Sequence, residues 1–161
     1  KMEVETAALE LGCAVVRPGL VWSNTSGSLM RSLEHAARGR FVPLIGDGSY
    51  AQYLIFDDDL AELVVALSQP TAPTIGRALS AAHPQKHSLR SVLQLLATKQ
   101  ENRPTFIPIP WRLMHAGLKT LETLGLPAPF RSDSLIVIVF QNPAPDFDLR
   151  EVPGISFRPF A

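Results

Sequence analysis

The residues best suited to chemistry stand at one corner, Arg17-Pro18-Gly19-Leu20-Val21-Trp22, which closes the apolar run Cys13-Ala14-Val15-Val16. A short run without alternation, ended by turn residues, suits a strand buried on both faces, as in a parallel sheet. Proline removes a ladder donor there, and glycine lets the backbone come close to another group. In open α/β sheets, ligands sit just beyond the carboxyl ends of such strands. The corner is where bound chemistry is expected first.

Other reactive residue types carry weaker patterns. His83 and His87 are four apart, which on a helix would put both on one face, but Pro84 and Ser88 favour a loop. No Cys or carboxylate completes a ligand set, so no metal is expected. His35 and His115 fall in amphipathic helical patterns and suit surface or packing positions. Asp57, Asp58 and Asp59 precede Leu60, Leu63, Val64 and Leu67. Acids at a helix start accept orphan amide hydrogens, and no calcium-loop spacing accompanies these. Cys13 opens the strand and reads as an inert packing thiol. No Gly-x-Ser-x-Gly elbow occurs, and Gly46-Asp47-Gly48 lacks the third glycine of a phosphate loop, so it reads as a turn.

The elements that must position the corner follow in order. Val4, Ala7, Ala8 and Leu11 keep helical spacing, and Gly12 can end that helix. A helix feeding directly into a buried strand is the half-unit of a parallel α/β sheet. Ser23 to Ser28 is a polar turn, then Leu29, Met30, Leu33, Ala36 and Ala37 form a helix face closed by Gly39. Short strands are expected at Phe41-Val42-Pro43 and at Tyr53-Leu54-Ile55-Phe56, around the glycine turn. Pro70 to Pro73 ends the helix after the acids, and Arg77 to Ala82 is a second buried strand. Ser88 can cap a helix carrying Leu89, Val92, Leu93 and Leu96. Thr105 to Pro110 reads as an edge strand, because proline lacks the ladder donor. Pro110 then opens a helix with Leu113, Leu118, Leu121 and Leu124, ended by Gly125. Leu135 to Phe140 is open: Ile-Val-Ile-Val favours strand, whereas the preceding Ser132-Asp133-Ser134 favours a capped helix.

The chain has 161 residues, enough for one domain or a piece of a larger one, and it begins with Lys1, as a cut or processed end would. Fifteen basic residues balance fifteen acidic ones, which gives no reason to expect nucleic acid or an anionic membrane surface. The longest apolar run, Leu135 to Phe140, is far too short to span a membrane. The single Cys13 excludes an internal disulfide and suits a reducing, cytoplasmic setting.

Four stretches follow one another at distances that resemble a known family: Lys1-Met2-Glu3-Val4-Glu5, Val15 to Trp22, Gly46-Asp47-Gly48, and Asp58-Asp59-Leu60-Ala61. Together with the ending Gly154-Ile155-Ser156-Phe157-Arg158-Pro159-Phe160, they resemble the C-terminal half of the extended short-chain dehydrogenase/reductases, the NAD-dependent epimerase/dehydratase family. The resemblance covers nearly the whole chain. It implies an α/β fold: the C-terminal part of a Rossmann-like parallel sheet plus a small mixed α/β substrate-binding lobe. Residues 1–161 would be a single fragment in which late Rossmann strands and helices interleave with that lobe, and the N-terminal dinucleotide-binding half would be absent.

The resemblance also implies roles. Lys1 matches the lysine of the family's Tyr-x-x-x-Lys pair, whose ammonium holds the nicotinamide ribose and, as an adjacent cation, stabilises the tyrosine phenolate. Taken by itself, Lys1 is an ordinary terminal lysine. Pro18, Gly19, Leu20 and Val21 match the segment that lies along the nicotinamide of NAD or NADP. Arg17 is equally well explained by pairing with a nearby carboxylate. The substrate would lie between Trp22, Ser23 and Asn24 at the strand end and a lobe containing Tyr50, Gln52, Tyr53 and Trp111. Nucleotide-sugar epimerases usually carry an arginine where this chain has Gln52, and glutamine cannot offer phosphate a charged fork. The expected function is hydride transfer on a small hydroxyl or carbonyl substrate other than a nucleotide sugar, by a parent enzyme of which this fragment alone is inactive. The alternative is a non-catalytic dinucleotide-sensing or assembly protein of the same fold. A small-molecule substrate and a homodimer are the expected partners; a third option is an isolated domain whose open sheet edge self-associates.

Overall fold

The computed structural model describes residues 2–23, 28–69, 76–128, 131–147, 149, 152 and 154–160. In chain order the elements are α1 (Met2–Glu10), β1 (Val15–Pro18), β2 (Leu20–Trp22), α2 (Ser28–Ala37), β3 (Phe41–Ile45), β4 (Ala51–Gln52), β5 (Leu54–Phe56) and α3 (Asp57–Ser68). They continue with β6 (Ala78–Ala81), β7 (His87–Ser88), α4 (Leu89–Lys99), β8 (Thr105–Ile109), α5 (Trp111–Thr123) and α6 (Ser132–Val139). The expected Pro70–Pro73 helix end lies outside the described residues. The chain divides into two compact units, each assembled from separated segments.

The first unit takes Lys1–Thr25, Tyr53–Gln85 and Ala144–Ala161. Its strands pair in parallel, β1 with β6 and β2 with β5. Helix α1 ends in a Schellman turn: Gly12 takes φ +73°, its N–H donates to the Leu9 carbonyl, and the Cys13 N–H donates to the Ala8 carbonyl. That bond corrects the expectation for Cys13. Its amide closes the helix and is not free for a ladder, so the strand starts only at Val15 and the thiol side chain is exposed. The strand is also less covered than its composition suggests. Val15 and Val16 are half-buried and Arg17 and Pro18 exposed, because β1 has one paired edge among the described residues. The core of this unit lies instead under Leu54, Ile55, Leu63 and Leu79, all essentially inaccessible.

The second unit takes Ser26–Gln52 and Lys86–Pro143. Here β3 and β8 pair in parallel, Phe41 opposite Thr105 through Ile45 opposite Ile109, while β4 and β7 pair antiparallel. The turn at Gly46 and Gly48 (φ +56° and +77°) therefore does not join β3 to β5, which belong to different units. Ser88 caps α4 as expected: its hydroxyl accepts from the Ser91 amide and the Ser91 hydroxyl accepts from the Ser88 amide.

Residues 135–139 are helical. No side chain at the Arg131 N-cap holds α6; its first amide, that of Ser132, is held by Glu122 of α5. The Ser132 N–H donates to Oε1 at 2.7 Å and its hydroxyl to Oε2 at 2.8 Å. These bonds hold the Glu122 carboxyl below its ordinary pKa, the Ser132 amide first, then its hydroxyl. A carboxyl depressed in this way stabilises the fold above its unfolded pKa and loses that contribution as pH falls through the folded one. Amide protection at Ser132 is expected to fall as the pH is taken below the ordinary glutamate value of about 4.3. In Glu122→Gln that step should vanish; if it persists unchanged, another group is responsible.

Candidate functional site

The corner after β1 is a strand junction. Pro18 stands opposite Ala81 at the carboxyl ends of β1 and β6, and the Gly19 N–H continues that pairing by donating to the Ala81 carbonyl at 2.9 Å. One residue later the partner changes: the Leu20 N–H donates to the Tyr53 carbonyl at 2.7 Å, and β2 runs on beside β5. The His83 N–H, donating to the Leu54 carbonyl at 2.9 Å, joins the end of β6 to β5. The junction stands at the carboxyl ends of β1 and β6, the end of the strands at which open α/β sheets hold ligands.

Gly19 is what the junction requires. A Cβ there would fall 2.2 Å from the Tyr53 carbonyl oxygen and 2.8 Å from the Ala82 Cβ. The close group that glycine admits is thus the chain's own backbone. Beyond it, Trp22 packs on Phe56 (centroids 4.5 Å apart) and edge-on to Phe160 (5.3 Å). Its indole N–H is buried with no hydrogen-bond partner among the described residues. An unpaired buried donor costs stability, and such groups in native proteins call for a functional or structural account.

Phe160 is brought to Trp22 by a fastening that spacing does not reveal. Asp59, 3% exposed, accepts the Arg158 backbone N–H at 2.7 Å and the Arg158 Nε at 2.6 Å. The guanidinium also lies 4.1 Å from the centroid of the Phe56 ring. Asp59 therefore does not serve the helix start, where Asp57 Oδ1 accepts the Asp58 N–H and no side chain at the Phe56 N-cap makes a bond. Both Asp59 and Arg158 stand in motifs of the resemblance, but nothing within a few residues of either marks them as partners.

Of the expected site residues, Pro18, Gly19, Leu20, Val21, Trp22 and Tyr53 come together in the first unit, with Ser23 half-buried after them. Tyr53 supplies its carbonyl to the junction, while its ring packs on Phe147. Arg17 pairs with Glu5, its Nε 3.2 Å from Glu5 Oε2, which is the strand-end explanation of that residue. Tyr50 and Gln52 belong to the second unit. Gln52 is buried, and its amide donates to the Ala51 carbonyl at 2.7 Å and the Ile138 carbonyl at 3.3 Å. Trp111, also in this unit, stacks edge-on to Phe140. Lys1 and Asn24 lie outside the described residues.

Among solved structures, MoeE5 in complex with UDP-glucose and NAD matches 86% of this chain and 52% of its own, at 16% identity and a TM-score of 0.57. The chain has the fold of the NAD-dependent epimerases and dehydratases. A dTDP-glucose 4,6-dehydratase from Bacillus anthracis str. Ames in complex with NAD matches at 16% identity and a TM-score of 0.52, over 66% of this chain and 38% of that one. The epimerase Mth375 from Methanothermobacter thermautotrophicus matches at 16% identity and a TM-score of 0.50, over 66% and 34%. The chain thus spans between a third and about half of the length of these epimerase/dehydratase structures. No family profile and no curated protein matches it. The α/β architecture with parallel strand pairs is the one the sequence motifs imply, and no helix among the described residues is long and apolar enough to cross a membrane.

Proposed function

We propose that this chain is the C-terminal part of an NAD(P)-dependent oxidoreductase or epimerase of the extended short-chain dehydrogenase type. The observation that carries the reading is the junction at Gly19, where an exposed proline ends one of two parallel strands and the strand changes neighbours. Pro18 to Val21 would line the nicotinamide of NAD or NADP, with the Lys1 ammonium on its ribose. The cofactor would supply and accept the hydride. The residues of this chain would orient its ring and, through Lys1, favour the phenolate of an upstream tyrosine. Trp22, Ser23, Asn24, Tyr50, Gln52 and Tyr53 would contact the substrate.

That substrate is a small hydroxyl or carbonyl compound and not a nucleotide sugar. Gln52 is neutral, buried, and engaged by two carbonyls, so it offers no charged fork to a diphosphate. No glycine-rich phosphate loop occurs among these 161 residues, so this chain by itself would not hold the dinucleotide and would be inactive. The test is nicotinamide absorbance with the whole protein, on a panel of UDP- and dTDP-sugars beside uncharged alcohols and ketones. Turnover confined to the uncharged compounds is expected. Efficient turnover of any nucleotide sugar overturns the substrate assignment. Failure of the whole protein to bind either NAD or NADP overturns the oxidoreductase reading itself.

A further inference from the structure

Trp22 ends β2 with an indole N–H that is buried and finds no acceptor, although the ring as a whole is only half-buried. An indole N–H can only donate, so what it lacks is an acceptor oxygen. Trp22 stands at the carboxyl end of a strand paired in parallel with β5, the end at which open α/β sheets hold ligands.

The last stretch of the chain covers the ring there. Phe160 is 5% exposed and lies edge-on to the indole, at the end of a segment, 155–160, that forms neither helix nor strand. Gly154, Ser156, Arg158 and Pro159 are exposed. Gly154 takes φ +89°, and a Cβ on it would meet nothing within 4 Å, so the segment has space to turn about that residue. Between this hinge and the Phe160 cover, Arg158 bonds Asp59 through its backbone N–H at 2.7 Å and its Nε at 2.6 Å.

Two terms of comparable size oppose each other in the closed form. The bonds to the Asp59 carboxylate are charge-assisted and favour closure. The orphaned donor disfavours it, because opening lets an oxygen reach the N–H. A ligand that binds only the open form then enlarges that population. The surroundings select its charge: Asp57, Asp58 and Asp59 follow Phe56 directly, and Arg158, 3.7 Å from Asp58 and 2.6 Å from Asp59, offsets one of the three. The negative balance disfavours an anion beside them.

We propose that residues 154–160 are a strap over the end of β2, hinged at Gly154 and latched by Arg158 on Asp59. Opening it presents the Trp22 indole N–H to the oxygen of an uncharged carbonyl or hydroxyl compound. That this compound is the substrate rests on the hydride-transfer reading, whereas the strap and its donor do not.

The test needs neither NAD nor turnover. Exchange of the Trp22 indole hydrogen is followed by NMR, with its signal assigned through Trp111→Phe, and the same signal is titrated with cyclohexanone, an acceptor that cannot donate. The Leu20 amide, bonded to the Tyr53 carbonyl, reports the parting of β2 from β5. Local opening should leave the indole hydrogen at least about tenfold less protected than that amide. Arg158→Ala should speed indole exchange by about tenfold or more, leave the Leu20 amide unchanged, and tighten cyclohexanone binding by the same factor, since both report the open population. Phe160→Ala keeps the latch but removes the cover; it should speed indole exchange likewise, and it serves if Arg158→Ala fails to fold. Acetate, a charged acceptor, should not shift the signal. Indole exchange that follows the Leu20 amide in every variant means ring packing and no strap. Faster exchange without tighter cyclohexanone binding means that the N–H is no ligand donor, and acetate shifts equal to those of cyclohexanone contradict an uncharged ligand. Each of these results overturns the proposal, while failure of the whole protein to bind NAD or NADP overturns the enzymatic reading alone.

Discussion

Gly19→Ala is expected to destabilise the first unit by at least about 3 kcal/mol, the upper end of what overpacking costs in a tight site. The added methyl would sit 2.2 Å from a backbone oxygen, that of Tyr53, and backbone cannot swing aside as the end of a side chain can. Relief would require β5 to move away from β2, which breaks the Leu20-to-Tyr53 bond on which the junction turns. Two controls separate this from ordinary glycine effects. Gly12→Ala meets nothing within 4 Å and suffers only from its φ of +73°, so it should cost about 1–2 kcal/mol. Ala82→Gly added to Gly19→Ala removes the 2.8 Å contact but not the 2.2 Å one, and should rescue little. Hydrogen exchange of the amides from Val16 to Val21, with the denaturant midpoint, provides the measurement. A Gly19→Ala chain as stable as Gly12→Ala would mean that the strands are free to part and that the junction is not rigid.

Arg158→Ala is expected to release the end of the chain. It removes the Nε bond to Asp59 and the cation over Phe56, and it leaves a carboxylate that is 3% exposed with one backbone donor. Removing one member of such a pair costs more when the orphan is the buried one. Asp59→Asn should therefore be milder, since the guanidinium left behind is half-exposed and can hydrate. Proteolysis beyond Val152 is expected to accelerate by about tenfold or more in Arg158→Ala, the factor that loss of a charge-assisted bond brings. Trp22 should report the same event, because Phe160 packs edge-on to its indole. In a Trp111→Phe background the remaining emission, from Trp22, should shift as that ring leaves. Arg158→Lys, which keeps the charge without the planar fork, should restore only part of the protection. If cleavage and emission are unchanged in Arg158→Ala, Asp59 does not hold the tail.

Much of the local structure was legible in the residues. Gly12 and Gly125 take positive φ at the ends of α1 and α5, Ser88 caps α4, and Pro110 precedes α5. The strand at Arg77 to Ala82 is present as β6, and Thr105 to Pro110 as β8, with prolines tolerated because each strand of that pair has one edge unpaired among the described residues. Other features were not legible. Cys13 has the apolar neighbours of a strand residue, yet its amide belongs to the turn that closes α1. Residues 135–139 satisfy strand and helix patterns alike, and Glu122, ten residues before Ser132, tips the balance. Asp59 finds its cation 99 residues away.

The amino-acid sequence by itself determined where helices stop, which short runs are strands and which fold family they resemble. Those signals act through sterics and hydrogen bonds within a few residues, so they survive without knowledge of the rest of the chain. Only the tertiary structure decided which strand Leu20 leans on, why Gly19 must be bare and which carboxylate grips Arg158. Each of these depends on bringing together groups that are tens of residues apart, and no spacing rule records which distant oxygen or side chain will arrive.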